Sequence, residues 1–269
     1  MNRKFIYPLI LILAIVLIYW AEEKFNTSEK EHRVEKNMQS GLLVDISLLP
    51  TSTTGEIVYH EYYTLSYSEP DEQAEWVAYE LTKEQLKGNS YKRPYFEIDP
   101  DVPTGAADWR NYRNSGYDRG HLCPAGDRTF DKQAYLETFL TSNISPQRHD
   151  FNSGIWNRLE NKVRYWADKY DGIYVTTGGV LNDRSTTIGD EEVTVPRQFY
   201  KILLDTRGET YTMIAFLFPH EASDHGLQEF VVSVDEIEKL TGIDFFPKLD
   251  DSIENRLEAS SDYKNWSFR

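Results

Sequence analysis

The sequence is poorest in cysteine: Cys123 stands alone among 269 residues. No intramolecular disulfide can form, and zinc sites built from two or more thiolates are excluded by the same count. The fold must therefore rest on its apolar core. Positive charge is also scarce, with 29 Lys and Arg against 44 Asp and Glu and a formal net charge of −15. That balance argues against a protein that coats nucleic acid passively, because non-specific affinity comes from cations neutralising phosphates. It does not exclude an enzyme, which needs only a local basic cleft and can take further charge from a bound cation. Internal repeats and low-complexity blocks are absent from the globular part.

One long hydrophobic run is present, at the very start. Arg3 and Lys4 precede apolar residues from Phe5 to Trp20, broken only by Pro8, and Glu22, Glu23 and Lys24 follow. A basic flank, an apolar stretch and a charged exit read as an export signal or a single anchor over residues 1–21. No small-x-small cleavage site follows Trp20, which favours an uncleaved anchor. The positive-inside rule then places the bulk of the protein outside the cytoplasm, in the cell envelope, or secreted if the segment is removed. Residues 22–40 are polar and charged and read as a tether, leaving 41–269 as one globular domain.

Aromatics are plentiful, 18 Tyr, 13 Phe and 6 Trp, and favour strands with partly wet surfaces over a helical bundle. Periodicity predicts strands at 57–67, 75–81, 172–177, 197–205 and 211–218, and a strand or short helix at 135–141. The clearest helix runs from Asn152 to Tyr170, with Ile155, Trp156, Leu159, Val163 and Trp166 near one face. A second helix opens at Ser233, with Glu236 three residues on, and stops at Gly242. Strands and helices are mixed without regular alternation. The expected class is α+β, a central antiparallel sheet flanked by helices.

The chemistry-bearing residues concentrate between Arg113 and Arg164. Tyr117-Asp118-Arg119-Gly120-His121-Leu122-Cys123-Pro124-Ala125 is followed by Leu140-Thr141-Ser142-Asn143-Ile144-Ser145-Pro146-Gln147, then by Asn152-x-Gly154-x-Trp156-x-x-Leu159-Glu160. Phosphodiester hydrolysis needs a base for water, positive charge on the phosphate oxygens and help for the leaving oxygen. A neutral imidazole, a hard cation on oxygen ligands and guanidinium groups can supply all three. On a regular helix, Asn152, Glu160 and Arg164 fall within about 120° of one another, and the last two form an i,i+4 pair. Bland readings exist for each. His121 alone could be structural, Asn152 a helix cap, Glu160–Arg164 a surface ion pair, Asp118 a turn brace and Cys123 packing. Arg148 and His149 are loop residues with a substrate-contacting alternative, and His60, His220 and His225 read as structural.

Together the three segments resemble the DNA/RNA non-specific endonuclease family of the ββα-metal superfamily. Weaker similarity extends to Val195-Pro196-x-x-Phe199-Tyr200-Lys201 and to Leu240-Thr241-Gly242-Ile243-Asp244-Phe245-Phe246. The resemblance implies a ββα-metal motif and hydrolysis of DNA and RNA to 5′-phosphate ends. It implies His121 as general base and Asn152 as the single protein ligand of Mg²⁺, with Mn²⁺ as an alternative. Asn143 would shape the site and hold the His loop, and Glu160 would order the metal's water shell. Arg119 and Arg164 would contact phosphate, with Arg93 as a further upstream arginine whose spacing departs by about one residue from the family pattern. A base with an ordinary imidazole pKa would lose activity below about pH 6–6.5. The competing expectations are a catalytically idle nucleic-acid- or partner-binding envelope protein and a specialised phosphodiesterase.

Overall fold

A computed structural model describes residues 45–208 and 210–268. The expected anchor (1–21) and tether (22–40) lie outside them, and among the described residues no helix is long and apolar enough to cross a membrane.

The expected class holds. Seven strands form one antiparallel sheet: β1 (Ile57–Tyr59), β2 (Thr64–Ser68), β3 (Gln73–Leu81), β6 (Ile173–Gly179), β9 (Gln198–Asp205), β10 (Thr212–Pro219) and β11 (Val231–Val232), in that spatial order. The predicted strand at 57–67 is two strands, because the chain turns back on itself at His60–Tyr63. Two two-stranded ribbons stand apart from the sheet: β4 (Asp118–His121) with β5 (Ile144–Gln147), and β7 (Thr187–Ile188) with β8 (Val193–Thr194). β3 and β6 are neighbours in the sheet, yet residues 82–172 run between them. That excursion carries the β4–β5 ribbon and the helices beside it.

The helices are α1 (Lys132–Glu137), the single turn α2 (His149–Phe151), α3 (Asn157–Lys169), α4 (Val234–Thr241) and α5 (Asp251–Glu258). Asp131 starts α1 by accepting from the Gln133 and Ala134 N–H groups, so the ambiguous 135–141 segment resolves as a helix end. The Ser233 cap accepts from Glu236 N, and Gly242 ends α4 with φ 73°, a left-handed value that glycine adopts without a Cβ clash.

The sheet is covered on both faces. Lys201 pairs with Phe216 and Phe199 with Phe218 across β9 and β10, so these side chains share one face. On that side Trp166 of α3 stacks on Phe216 with centroids 6.0 Å apart, and Trp156 meets Phe199 at 5.7 Å. Tyr200 points to the other face and meets Phe245, beyond α4, at 5.6 Å. The apolar positions expected for the long helix, Ile155, Trp156, Leu159, Val163 and Trp166, are all buried.

The helix differs from expectation at its start. It begins at His149, after an Arg148 cap, and passes through a π-type turn at Asn152–Trp156 before the regular α3. Gly154 sits at φ −96°, ψ −109°, outside helical values, which interrupts the uniform 100° rotation between Asn152 and Glu160. Asn152 is consequently not an N-cap.

Candidate active site

Two strands and a helix form the frame. In the ribbon His121 lies opposite Ile144, and Asp118 opposite Gln147. A Cβ on Gly120 would meet Gln147 Oε1 at 2.1 Å, so the Asp-Arg-Gly-His segment needs glycine there to let the buried Gln147 side chain pass.

Asn143 locks the far end of β4. Its Oδ1 accepts from Cys123 N at 2.8 Å, and its Nδ2 donates to Cys123 O and Thr138 O, both at 2.9 Å. Leu122 N also donates to Asn143 O at 2.9 Å. The side chain is fully buried, so it holds the loop that follows His121 and does not reach the surface. A brace lies behind it. Asp99 binds His60 Nε2 at 2.9 Å and takes the Ser142 hydroxyl as well. Burial opposes charge on His60, but the hydrogen bond and charge of Asp99, with Glu137 and Asp101, outweigh it and raise its pKa.

His121 sits against two aromatic rings, Phe139 at 5.0 Å edge-on and Phe96 at 5.5 Å. Its Nε2 is shielded from solvent and has no hydrogen-bond partner. Burial, and then the positive charge of Arg93, push its pKa down to about 3. The imidazole is therefore neutral at pH 7, the form that can accept a proton.

Guanidinium groups collect on the same aromatic wall. Arg93 Cζ lies 5.8 Å and Arg119 Cζ 5.5 Å from the Phe96 centroid. Arg119 also donates to Trp109 O at 3.2 Å through Nη2, and its Cζ is 5.4 Å from the Trp109 ring, which Arg113 approaches at 5.7 Å. Burial lowers the pKa of Arg119, Tyr112 opposes this, and the charges of Arg93 and Arg113 lower it further. Among the described residues Arg93, Arg113 and Arg119 form no ion pair, whereas Arg110, Arg164, Arg184, Arg197 and Arg207 each do. A groove of about 670 Å³ opens beside Arg110 and Arg113 and is lined also by Thr187, Gly189 and Glu191.

Asn152 reaches the ribbon through Asp118. Its Nδ2 donates to Asp118 Oδ2 at 3.0 Å, and the same oxygen binds His149 Nδ1 at 2.9 Å. Asn152 Oδ1 makes no hydrogen bond among the described residues. Oxygen donors from amide and carboxylate groups suit a hard divalent cation, so Asn152 with Asp118 behind it fits the donor set such an ion takes.

Arg164 is placed differently from Arg93 and Arg119. Its Nε donates to the buried Asp127 at 2.6 Å, and its Nη2 is 3.7 Å from Glu160 Oε2, the expected i,i+4 pair. Its charge is already matched within the protein. Burial raises the pKa of Glu160, and Lys201 is the foremost charge opposing that rise.

The reading of His220 as structural holds, while other positions escaped the sequence. His220 accepts from Arg148 N at 2.7 Å while its Nδ1 faces Pro196 O at 2.8 Å. It fixes the strand-to-helix junction just ahead of Asn152. Phe96 and Phe139, which wall His121, had no local signal. Lys201 had one, an ionisable residue inside the apolar run Phe199 to Leu204.

A half-buried neutral imidazole beside guanidinium groups that form no ion pair, on a two-strand-and-helix frame, is the arrangement of a hydrolytic nuclease. The chain belongs to the DNA/RNA non-specific endonuclease family, whose pattern matches residues 46–252. It is 34% identical to the mitochondrial nuclease EXOG of Danio rerio over 255 residues, covering 88% of this chain and 71% of that one. It is 36% identical to Nuclease C1 of Cunninghamella echinulata var. echinulata over 226 residues, 78% of this chain and 90% of that protein. Of the mouse and human EXOG chains it spans 59% of the length. A crystal structure of an EndoG/EndoGI complex contains a chain that superposes with a TM-score of 0.67 at 30% identity, covering 72% of this chain and 87% of that chain.

Proposed function

We propose that this endonuclease hydrolyses phosphodiester bonds of both DNA and RNA with little sequence preference, leaving 5′-phosphate and 3′-hydroxyl ends. His121, neutral in its aromatic niche, takes the proton of the attacking water. Arg93 and Arg119 bind the phosphate oxygens, and the aromatic faces of Phe96 and Trp109 hold their planes in place. Asn152 would hold a divalent cation, Mg²⁺ with Mn²⁺ as an alternative, and Glu160 would order the surrounding water. Such a cation would stabilise the negative charge on the phosphoryl oxygens and the leaving oxygen. Asn143 keeps the loop after His121 from shifting, and Arg164, held by Asp127, places its positive charge 3.7 Å from Glu160.

The observation that carries this reading is the set of unpaired guanidiniums around Phe96, beside a base held neutral. In a chain of net charge −15, guanidiniums gathered on one aromatic ring without acidic partners favour an anion there. The N-terminal pattern supports an extracytoplasmic location with residues 1–21 as a membrane anchor. The test is incubation of the full chain with plasmid DNA and, separately, with RNA, in Mg²⁺ and in EDTA, beside His121→Ala. Degradation of both polymers only with metal, and near-complete loss in the variant, is expected. Salt-sensitive complexes without cleavage would instead support a binding protein, and cleavage of small phosphodiesters alone a specialised phosphodiesterase.

A further inference from the structure

Beneath the proposed active site lies a second charged group of residues, with a lysine at its centre that is sealed from water. Lys201 occupies the middle of β9, paired to Thr177 of β6 and Phe216 of β10. It is 0% exposed, and its Nζ has no hydrogen-bond partner. The ammonium lies 4.8 Å from the Trp156 ring centroid. Trp156, Glu160 and Arg164 follow one another a turn apart on the helix, so Lys201 sits beneath the face that carries Glu160.

A buried ammonium is costly unless charge balances it. The groups facing it are Glu160 and Arg164 from the helix, Asp127 from the loop after β4, and Cys123. Cys123 adds no negative charge, because burial pushes its thiol up to about 12. Asp127 is committed elsewhere, taking Arg164 Nε at 2.6 Å and the Tyr79 hydroxyl at 3.0 Å. Arg164 in turn stands 3.7 Å from Glu160, beyond hydrogen-bond reach. Two carboxylates are thus matched by two cations, and Lys201 is the one not bound to Asp127.

We infer that Lys201 is a positioning residue for the proposed active site, favouring the carboxylate form of Glu160 from below the helix. The inference rests on the reading of Glu160 as the group that orders water at that site. Without Lys201 the group would keep two carboxylates and one guanidinium. Protonating Glu160 is then the least costly response, since burial already favours its neutral form. A protonated Glu160 donates one hydrogen bond and loses acceptor capacity, so it can no longer orient water as a carboxylate does. Trp156 cages the ammonium, which prevents Lys201 from leaving to solvent.

The decisive experiment follows the Glu160 carboxyl itself, by ¹³C NMR or difference infrared spectroscopy on metal-free protein across pH. In Lys201→Met the Glu160 ionisation is expected to move upward by about one pH unit or more, tenfold in proton affinity. Lys201→Arg is expected to return it toward wild type. An unchanged Glu160 titration in folded Lys201→Met would overturn the inference. If Lys201→Met does not fold, the Glu160→Gln/Lys201→Met double variant decides. Recovery of folding there supports the pairing, and failure to fold in both backgrounds overturns it. Glu160→Gln assayed for cleavage separates the two layers. Full activity in that variant would remove Glu160 from the active site, while the carboxyl titration would still judge Lys201.

Discussion

Asn152 Nδ2 donates to Asp118 Oδ2 at 3.0 Å, which ties the proposed metal ligand to the strand that ends in His121. With the His149–Asp118 contact at 2.9 Å beside it, the bond helps set the distance between base and ligand. Asp118→Ala is expected to let the Asn152 amide rotate. Partners behind a ligand typically contribute 10–100-fold to metal affinity or activity, and a loss of about that size is expected in a Mg²⁺ titration of cleavage rate. Asp118 is partly exposed and its other partner, His149, is 80% exposed, so the melting temperature should shift by only a few degrees. A large stability loss with unchanged metal dependence would show that Asp118 acts only as a brace.

Asn143 offers the opposite case, a polar group whose effect is on stability first. Asn143→Ala removes three buried hydrogen bonds and leaves Cys123 N, Cys123 O and Thr138 O without their partner. An unsatisfied buried group costs on the order of 1–3 kcal/mol, so a loss of about 3–5 kcal/mol is expected in urea denaturation. Asn143→Asp should do no better. A carboxylate can still accept from Cys123 N, but it meets two carbonyl oxygens where the amide had donated.

How much of this was legible depended on whether a residue's partner was close in sequence. Ser233, Glu236 and Gly242 mark a helix by local chemistry, and α4 lies between them. The apolar stripe from Ile155 to Trp166 predicted a buried face because helical spacing alone creates it. His121, Asn143 and Asn152 were read from the order of three segments, and the β4–β5 pairing that joins the first two is a long-range fact. Gly154 was visible, but the π-type turn it permits depends on how Asn152 and Trp156 are pulled to Asp118 and the sheet. Arg93 and Arg119 were named as phosphate contacts, but the Phe96 ring that gathers them was missed for the same reason. The three residues come from segments separated by loop, and only folding puts them together. The departure in spacing at Arg93 proved compatible with a place beside His121.

His121 gives a pH prediction that differs from the value expected of an ordinary imidazole. Its folded pKa is depressed to about 3, from burial first and Arg93 second. Above pH 6.5 the ring is neutral in both folded and unfolded chains. As pH falls from 6.5 toward 3 only the unfolded chain takes the proton, so stability declines across that window, by at most about 1.4 kcal/mol per pH unit. His121→Asn should flatten this slope in denaturation measured between pH 6.5 and 4. In the uncomplexed enzyme the ring should stay neutral at pH 5 by ¹⁵N NMR, moving the acidic limb of kcat/KM below the pH 6–6.5 of an ordinary imidazole. A ring that protonates near pH 6.5 would refute the depression by burial and Arg93.

The arginines divide into two kinds, and salt dependence can tell them apart. Arg93 and Arg119 have no acidic partner among the described residues, so their charge is available to phosphate. Each lysine or arginine contact to a phosphate adds about 0.7–0.9 to the slope of log affinity against log salt. Arg119→Ala and Arg93→Ala should each reduce that slope by about this amount in binding to catalytically inactive His121→Ala protein, with little change in thermal stability. Arg164 is bonded to the buried Asp127 at 2.6 Å, so Arg164→Ala leaves an uncompensated carboxylate and should destabilise by about 3–5 kcal/mol. Its salt slope should stay near that of the parent. If Arg164→Ala instead lowers the slope and leaves stability intact, Arg164 releases Asp127 to take phosphate, and it joins Arg93 and Arg119 on the substrate side of the site.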